Sequence, residues 1–170
     1  LDFEAILEAM PDALLIVGEE GNIKAVNQKL EELSGYCKQD LLEQPIELLV
    51  PHGIQQEHQK IRENYSKSPA PRSMGEMGNI LLLTKAGVEL PVAISLSPVE
   101  VAEGRFVIAA IRDISKRKQI EEELRYSKAG LDKAQSLAQV GSWDMDITTS
   151  KVYWSAEIYR MLGLDPEETA

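Results

Sequence analysis

The sequence predicts an α+β domain with one antiparallel sheet and short helices on one face, followed by a long connecting helix. Three observations carry this. Along the chain, two strand-like runs are followed by several short helical runs and then three more strand-like runs. That order segregates helices from strands and does not alternate them as a parallel α/β sheet would. Leu90 to Val101 alternates Val92, Ile94 and Leu96 with Ala93, Ser95 and Ser97, the period of a strand with two different faces. From Ser115 onward, Ile120, Leu124, Ser127, Leu131, Ala134 and Ala138 are spaced 4, 3, 4, 3 and 4 residues apart, the a/d alternation of a coiled coil.

The elements follow in order. Residues 2–10 place Phe3, Ile6, Leu7 and Met10 at helical spacing, and Pro11 closes that helix. Ala13 to Val17 and Ile23 to Val26 flank Glu20-Gly21-Asn22, which reads as a hairpin. Asn27 is placed to cap a short helix through Leu30 and Leu33, and Gly35 stops it. Lys38 to Glu43 reads as another helical turn before Pro45, and Ile46 to Val50 as a short apolar piece before Pro51. Gly53 to Lys67 reads as a polar helix that covers the sheet with one thin stripe of Ile54, His58, Ile61 and Tyr65. Ser68 to Gly78 reads as an irregular loop by its Pro and Gly content. Asn79 to Thr84, Leu90 to Val101 and Arg105 to Asp113 are the three late strands, with turns at Lys85-Ala86-Gly87 and Glu103-Gly104.

No Gly or Pro separates the last strand from the long helix, so a change in the sheet can be passed on at Arg112, Asp113, Ile114 and Ser115. The helical seam of Ile120, Leu124, Ser127 and Leu131 is weak, because it thins to Ser and Ala and carries Gly130. Glu121 and Arg125 form a favourable i,i+4 pair on it. Beyond it, Val140 to Ile147 and Lys151 to Trp154 read as a second hairpin, with Ser155 capping a helix that ends near Gly163. This echoes residues 13–35 and reads as an internal repeat. Both tryptophans, Trp143 and Trp154, lie in it, and its apolar face should be exposed or paired with another chain.

Composition narrows the function. The 170 residues are 44% hydrophobic and 27% charged, as in a globular domain with part of another. The net charge of -10 argues against nucleic acid or an anionic membrane surface as the partner. One cysteine, Cys37, forms no internal disulfide, which suits a reducing, cytoplasmic setting. The chain begins at Leu1 rather than Met, as a piece of a longer protein would.

Catalytic signals are thin. His52 and His58 stand six residues apart, off the i,i+4 spacing of a helical metal pair. Cys37 has no histidine near it in sequence, and Gly75 and Gly78 lack the Lys-Ser/Thr of a phosphate loop. No catalytic residue and no metal site are expected. His58 shares the apolar stripe of its helix, where it is either a rim histidine or an axial heme ligand. The pocket candidates are His58, Ile61, Tyr65, Met74, Val92, Ile94, Leu96, Val107, Ala109 and Ile111. The small residues Ala109 and Ala110 leave room there for a ligand or for a helix to close down.

Two stretches carry a family resemblance. Residues 3–42, with PDALLIV and Asn27, and residues 71–118, with Gly87-Val88-Glu89-Leu90-Pro91 and Arg112-Asp113-Ile114-Ser115, resemble the two halves of a bacterial PAS sensory domain. Residues 137–168 resemble the opening of a second one. The resemblance implies a five-stranded antiparallel sheet flanked by short helices. It implies a sensor that dimerises through the helices before and after the sheet and feeds a histidine kinase or diguanylate cyclase. It divides the chain into a PAS domain at 1–114, a signalling helix at 115–138 and the start of a second PAS domain at 139–170. In heme PAS domains of oxygen-sensing kinases, which the middle segment resembles, the ligating histidine aligns with His58 and distal aliphatic residues align with Ile94 and Leu96. The cysteine motif of photoactive flavin PAS domains is absent. The cofactor is left unnamed, with heme and flavin behind an empty or small-molecule pocket. The expected partners are a second copy and downstream domains of the same chain, with no nucleic acid and no direct membrane contact.

Overall fold

A computed structural model describes residues 3–75 and 80–165. The chain divides into two compact units, Leu1–Lys116 and Arg117–Ala170.

The first unit is built on β1 (Ala13–Gly18), which is buried on both faces. Ala13, Leu15 and Val17 face one core with Ile23, Val26, Leu30, Leu41 and Leu49. Leu14 and Ile16 face the other way, against Leu7 of α1 (Phe3–Ala9). The helices therefore divide between the faces: α1 lies on the outer side, while α2 (Gln28–Ser34) and α3 (Lys38–Leu41) cover the inner side. An unbroken apolar run is the composition a strand with two covered faces requires.

Asn27 holds this arrangement together. It is fully buried, and its side chain uses both ends. Its Oδ1 accepts from Leu14 N at 2.8 Å and from Leu30 N at 3.1 Å, so it caps α2 and fixes β1 together. Its Nδ2 donates to Asp12 O at 2.9 Å and to Leu7 O at 3.2 Å, which ties in α1. Gly35 ends α2 at φ 76°, in the left-handed region that glycine enters without strain.

The sheet order is β2-β1-β6-β5-β3, all antiparallel, where β2 is Ile23–Val26, β3 Arg72–Met74, β5 Glu89–Val101 and β6 Gly104–Asp113. A further strand, β4 (Leu81–Leu83), also pairs with β5. Among the described residues the sheet thus has six strands where five were expected, and the stretch expected to be an irregular loop contributes one of them. Register shows why. β3 pairs Met74 with Ile94, and β4 pairs Leu81 with Pro91. Six residues separate Met74 from Leu81 along the chain, against two between Pro91 and Ile94 on β5, so β3 and β4 pair with neighbouring stretches of the same strand. Glu76, Met77, Gly78 and Asn79, read from sequence as loop end and strand start, lie outside the described residues.

The polar helix, α4, spans Gln55–Lys67 after two 3-10 turns at Ile46–Leu49 and His52–Ile54. None of its residues is buried, and Ile61 is half exposed. The expected apolar cover over the sheet is replaced by polar ties.

The long helix α5 begins at Ser115, at the end of the first unit, and runs on into the second unit to Ala138, followed there by β7 (Trp143–Asp146), β8 (Lys151–Trp154) and α6 (Ala156–Leu162). Arg125 pairs with Glu122 three residues before it, and Glu121 with Arg117 four residues before it, so each partner of the expected Glu121–Arg125 pair turns to another neighbour. The repeat is exact in spacing. Leu14, Asn27 and Gly35 correspond to Ser142, Ser155 and Gly163, each 128 residues on. Asn27 N donates to Leu14 O at 3.1 Å, and Ser155 N to Ser142 O at 2.8 Å. Ser155 makes no cap bond to its own helix; its Oγ accepts from Ser142 N at 3.0 Å, as Asn27 Oδ1 accepts from Leu14 N. A hydroxyl has a shorter reach than an amide, and here it keeps the strand bond and gives up the cap.

Candidate functional site

The strand registers gather most of the expected pocket residues on the inner face of the sheet. Leu15, Ala109, Leu96 and Arg72 form one cross-strand row. Ala13, Ile111, Ile94 and Met74 form the next. Val17, Val107 and Pro98 form a third. Val92, Ala109 and Ile111 are fully packed in the core, and Ile94 and Leu96 are partly buried against it. Met74 and Val107 are half-buried. A cleft of about 440 Å³ opens at the Val107 end, lined also by Pro98, Phe106, Ser66 and Pro69.

The three pocket candidates on α4 stand apart from the core. Tyr65 donates its hydroxyl to Ala70 O, bracing the turn that follows the helix. Ile61 is exposed. His58 lies 3.0 Å through Nδ1 from Glu47 Oε1, which also accepts from Arg62 Nε at 3.0 Å. Burial pushes the Glu47 carboxyl up, but the hydrogen bonds from Arg62 and His58 outweigh it and hold the carboxyl below the usual carboxylate range. Arg62 also lies over the β1–β2 turn, where a Cβ on Gly21 would run into its guanidinium. Gln55 Nε2 adds bonds to Glu47 O and Val50 O. Glu47 and Arg62 were not singled out from sequence, because a partner fifteen residues away leaves no periodic signal.

The junction is built as follows. Ile114 is buried, and its N donates to Pro91 O at 3.0 Å. Asp113 accepts from Ser115 N at 2.7 Å through Oδ1, which satisfies an open amide at the start of α5. Ser115 Oγ is buried and, among the described residues, has no hydrogen-bond partner. Arg112 forks onto Asp12, with Nε at 3.1 Å and Nη2 at 2.8 Å from its two oxygens. A cleft of about 290 Å³ opens beside this pair, lined by Pro11, Lys29, Glu32, Leu33 and Asp113. The partnership of Arg112 with Asp12 also escaped the sequence. The seam residues Ile120, Leu124, Ser127 and Leu131 are all exposed on α5.

Among the described residues no group of three or more His, Cys, Asp or Glu could hold a metal ion. Among them, too, no helix is long and apolar enough to cross a membrane.

The family model described as PAS domain matches residues 11–116, the stretch that carries this sheet and helices α2 to α4. The chain belongs to the PAS-domain family. Among curated relatives, this PAS chain is 25% identical over 112 residues to a probable serine/threonine-protein kinase of Dictyostelium discoideum, covering 66% of the chain and 7% of the kinase. It is 21% identical over 138 residues to the sensor protein FixL of Bradyrhizobium diazoefficiens, covering 81% of the chain and 27% of FixL. It therefore spans less than a third of either relative. Among solved structures, the PAS domain of an HTR-like protein from Haloarcula marismortui superposes with a TM-score of 0.56 at 22% identity, over 65% of this chain and 88% of that one. PAS domains are sensory modules, and the similarity to FixL lies with a protein described as a sensor.

Proposed function

We propose that the chain is a cytoplasmic sensory and dimerisation module that detects a small molecule, or a redox or gas signal, and relays it through α5 to an output domain of histidine kinase or diguanylate cyclase type. The observation that carries this is the seamless passage from β6 into α5. Ile114 is buried beside the sheet while Asp113 holds the first amide of the helix, so α5 follows any shift of β6. The ligand would contact Met74, Ile94, Leu96 and Val107, the inner-face residues that packing leaves partly open, and would enter by the cleft at Pro98 and Phe106. A second copy would pair through α1 and through the exposed seam of α5. Residues 139–170 would open a second PAS domain, which the repeat of the strand–cap–helix pattern supports.

Such a relay works only if the ligand binds two states of the sheet unequally. The test is Asp113→Ala in the longer protein, read as signal-dependent output. Unchanged output would sink the relay. Native mass spectrometry of the purified chain separates a ligand-bound sensor from a ligand-free association module, since a retained small molecule belongs only to the first.

The heme alternative through His58 does not fit the geometry. A carboxylate on Nδ1 leaves Nε2 free and does not itself exclude ligation, but among the described residues α4 buries no residue and His58 lines neither cleft described above, so no pocket for a macrocycle forms at it. A Soret band on incubation with hemin, lost in His58→Ala, would reverse that ordering.

A further inference from the structure

Two links leave the same end of the sheet. Pro11 and Asp12 join α1 to β1, and Arg112 and Asp113 join β6 to α5. β1 and β6 are neighbours, with Ala13 paired to Ile111, so the links lie side by side. The Arg112 guanidinium closes the gap by gripping both oxygens of Asp12. A two-point fork fixes the relative orientation of its partners, which a single contact does not.

The pair has a continuous path on either side. Toward α1, Asp12 O and Leu7 O accept from the same Asn27 Nδ2. Glu8 Oε2 accepts from Gln28 N at 2.8 Å, and Leu7 packs on Leu14 and Ile16, so α1 cannot move without pulling on this end of the sheet. Toward α5, Arg112 is followed by Asp113, which holds Ser115 N, and by the buried Ile114. Lys29 and Glu32, the other charges lining the adjacent cleft, are paired with each other at 2.7 Å. None of these contacts is made by Met74, Ile94, Leu96 or Val107, the residues proposed to meet a ligand.

We propose that the Asp12–Arg112 pair couples α1 directly to α5, so that a displacement of the leading helix reaches the trailing helix with no ligand bound. The module is then a two-input device: one input comes from the inner face through β6, the other from whatever moves α1. Arg112 acts as a positioning residue for the start of α5. This coupling stands or falls apart from the ligand relay, because it needs no ligand and is read in the isolated chain.

The test is amide hydrogen exchange on the whole 170-residue chain. The reporters are amides 119–122, whose helical acceptors are the carbonyls of 115–118. Leu7→Ala loosens α1, and Glu8→Gln is a milder perturbation should the first unfold the chain. In the otherwise native protein either change is expected to speed exchange at 119–122 by about threefold or more, the scale of a coupling between residues of one network. With Arg112→Gln, and in part with Arg112→Lys, the same change in α1 leaves those rates where that background already has them. Asp12→Arg combined with Arg112→Asp restores the transfer. Amides at the far end of the β5–β6 ladder, near the Val101–Gly104 pair, keep their rates throughout, which separates coupling from a general loss of stability. Transfer that survives Arg112→Gln, or transfer absent from the native chain, overturns the proposal.

Discussion

At the scale of single residues, Asn27 and Ser115 sit at opposite ends of polar satisfaction. Asn27 is fully buried and makes four hydrogen bonds with three different elements and a link. Replacing it with Ala strands Leu14 N and two carbonyls inside the protein, and each buried group left without a partner costs about 1–3 kcal/mol. Asn27→Ala is expected to lower stability by about 3–5 kcal/mol in urea unfolding, since such losses in one network overlap. Asn27→Asp keeps both acceptor bonds but repels two carbonyls, and should recover only part of that loss. Ser115 is the reverse case. Its Oγ is buried without a partner among the described residues, so its desolvation is uncompensated. Ser115→Ala is expected to raise the urea midpoint, by about 1 kcal/mol of stability, with an unchanged slope. A fall in the midpoint would show that the hydroxyl is satisfied in solution.

At the scale of elements, α4 behaves differently from its neighbours. α2 is held by Leu30 in the core, whereas α4 is held by the Glu47 carboxylate shared between His58 and Arg62. A helix fixed by charge responds to pH. The folded Glu47 titrates below its ordinary value of 4.5, so its contribution is fully present above that value and is lost as pH falls through the lower folded one. Wild type is therefore expected to be more stable than Glu47→Gln above pH 4.5, with the gap closing on acidification. Thermal melts of both proteins across that range check it, and a gap that widens toward acid would contradict the assignment. The sequence was legible where periodicity carried the signal. The β1–β2 hairpin, the Asn27 cap, the strands 89–101 and 104–113 and the long α5 all follow from local pattern. β3 was hidden because three residues between Pro71 and Gly75 cannot display a period, and only pairing with β5 makes them a strand. The candidate site was half legible for the same reason. Alternation put Val92, Ile94 and Leu96 on one face, but ties such as Glu47–Arg62 and Asp12–Arg112 join residues 15 and 100 apart, beyond any local rule.

At the scale of the whole molecule, the two units differ in what they bury. The first packs two apolar clusters around β1. In the second, among the described residues, the buried class contains Glu157 alone, with no apolar side chain. The positions that are buried in the first copy as Leu15 and Val26 recur 128 residues later as Trp143 and Trp154, which are 66% and 38% exposed. A short unit without an apolar core gains too little from burial to offset its chain entropy. The chain should therefore unfold in two stages, outside a single two-state description. Because both tryptophans lie in the second unit, the probes divide cleanly. Tryptophan emission is expected to report an early, shallow transition in urea, while far-UV circular dichroism reports a later, cooperative one dominated by the first unit. If a second copy covers the α5 seam and the tryptophan face, the early transition moves to higher urea as protein concentration rises, by mass action. Coincident curves from both probes at every concentration would mean that the second unit shares the stability of the first, and that its exposed apolar residues are covered in a way this chain alone does not provide.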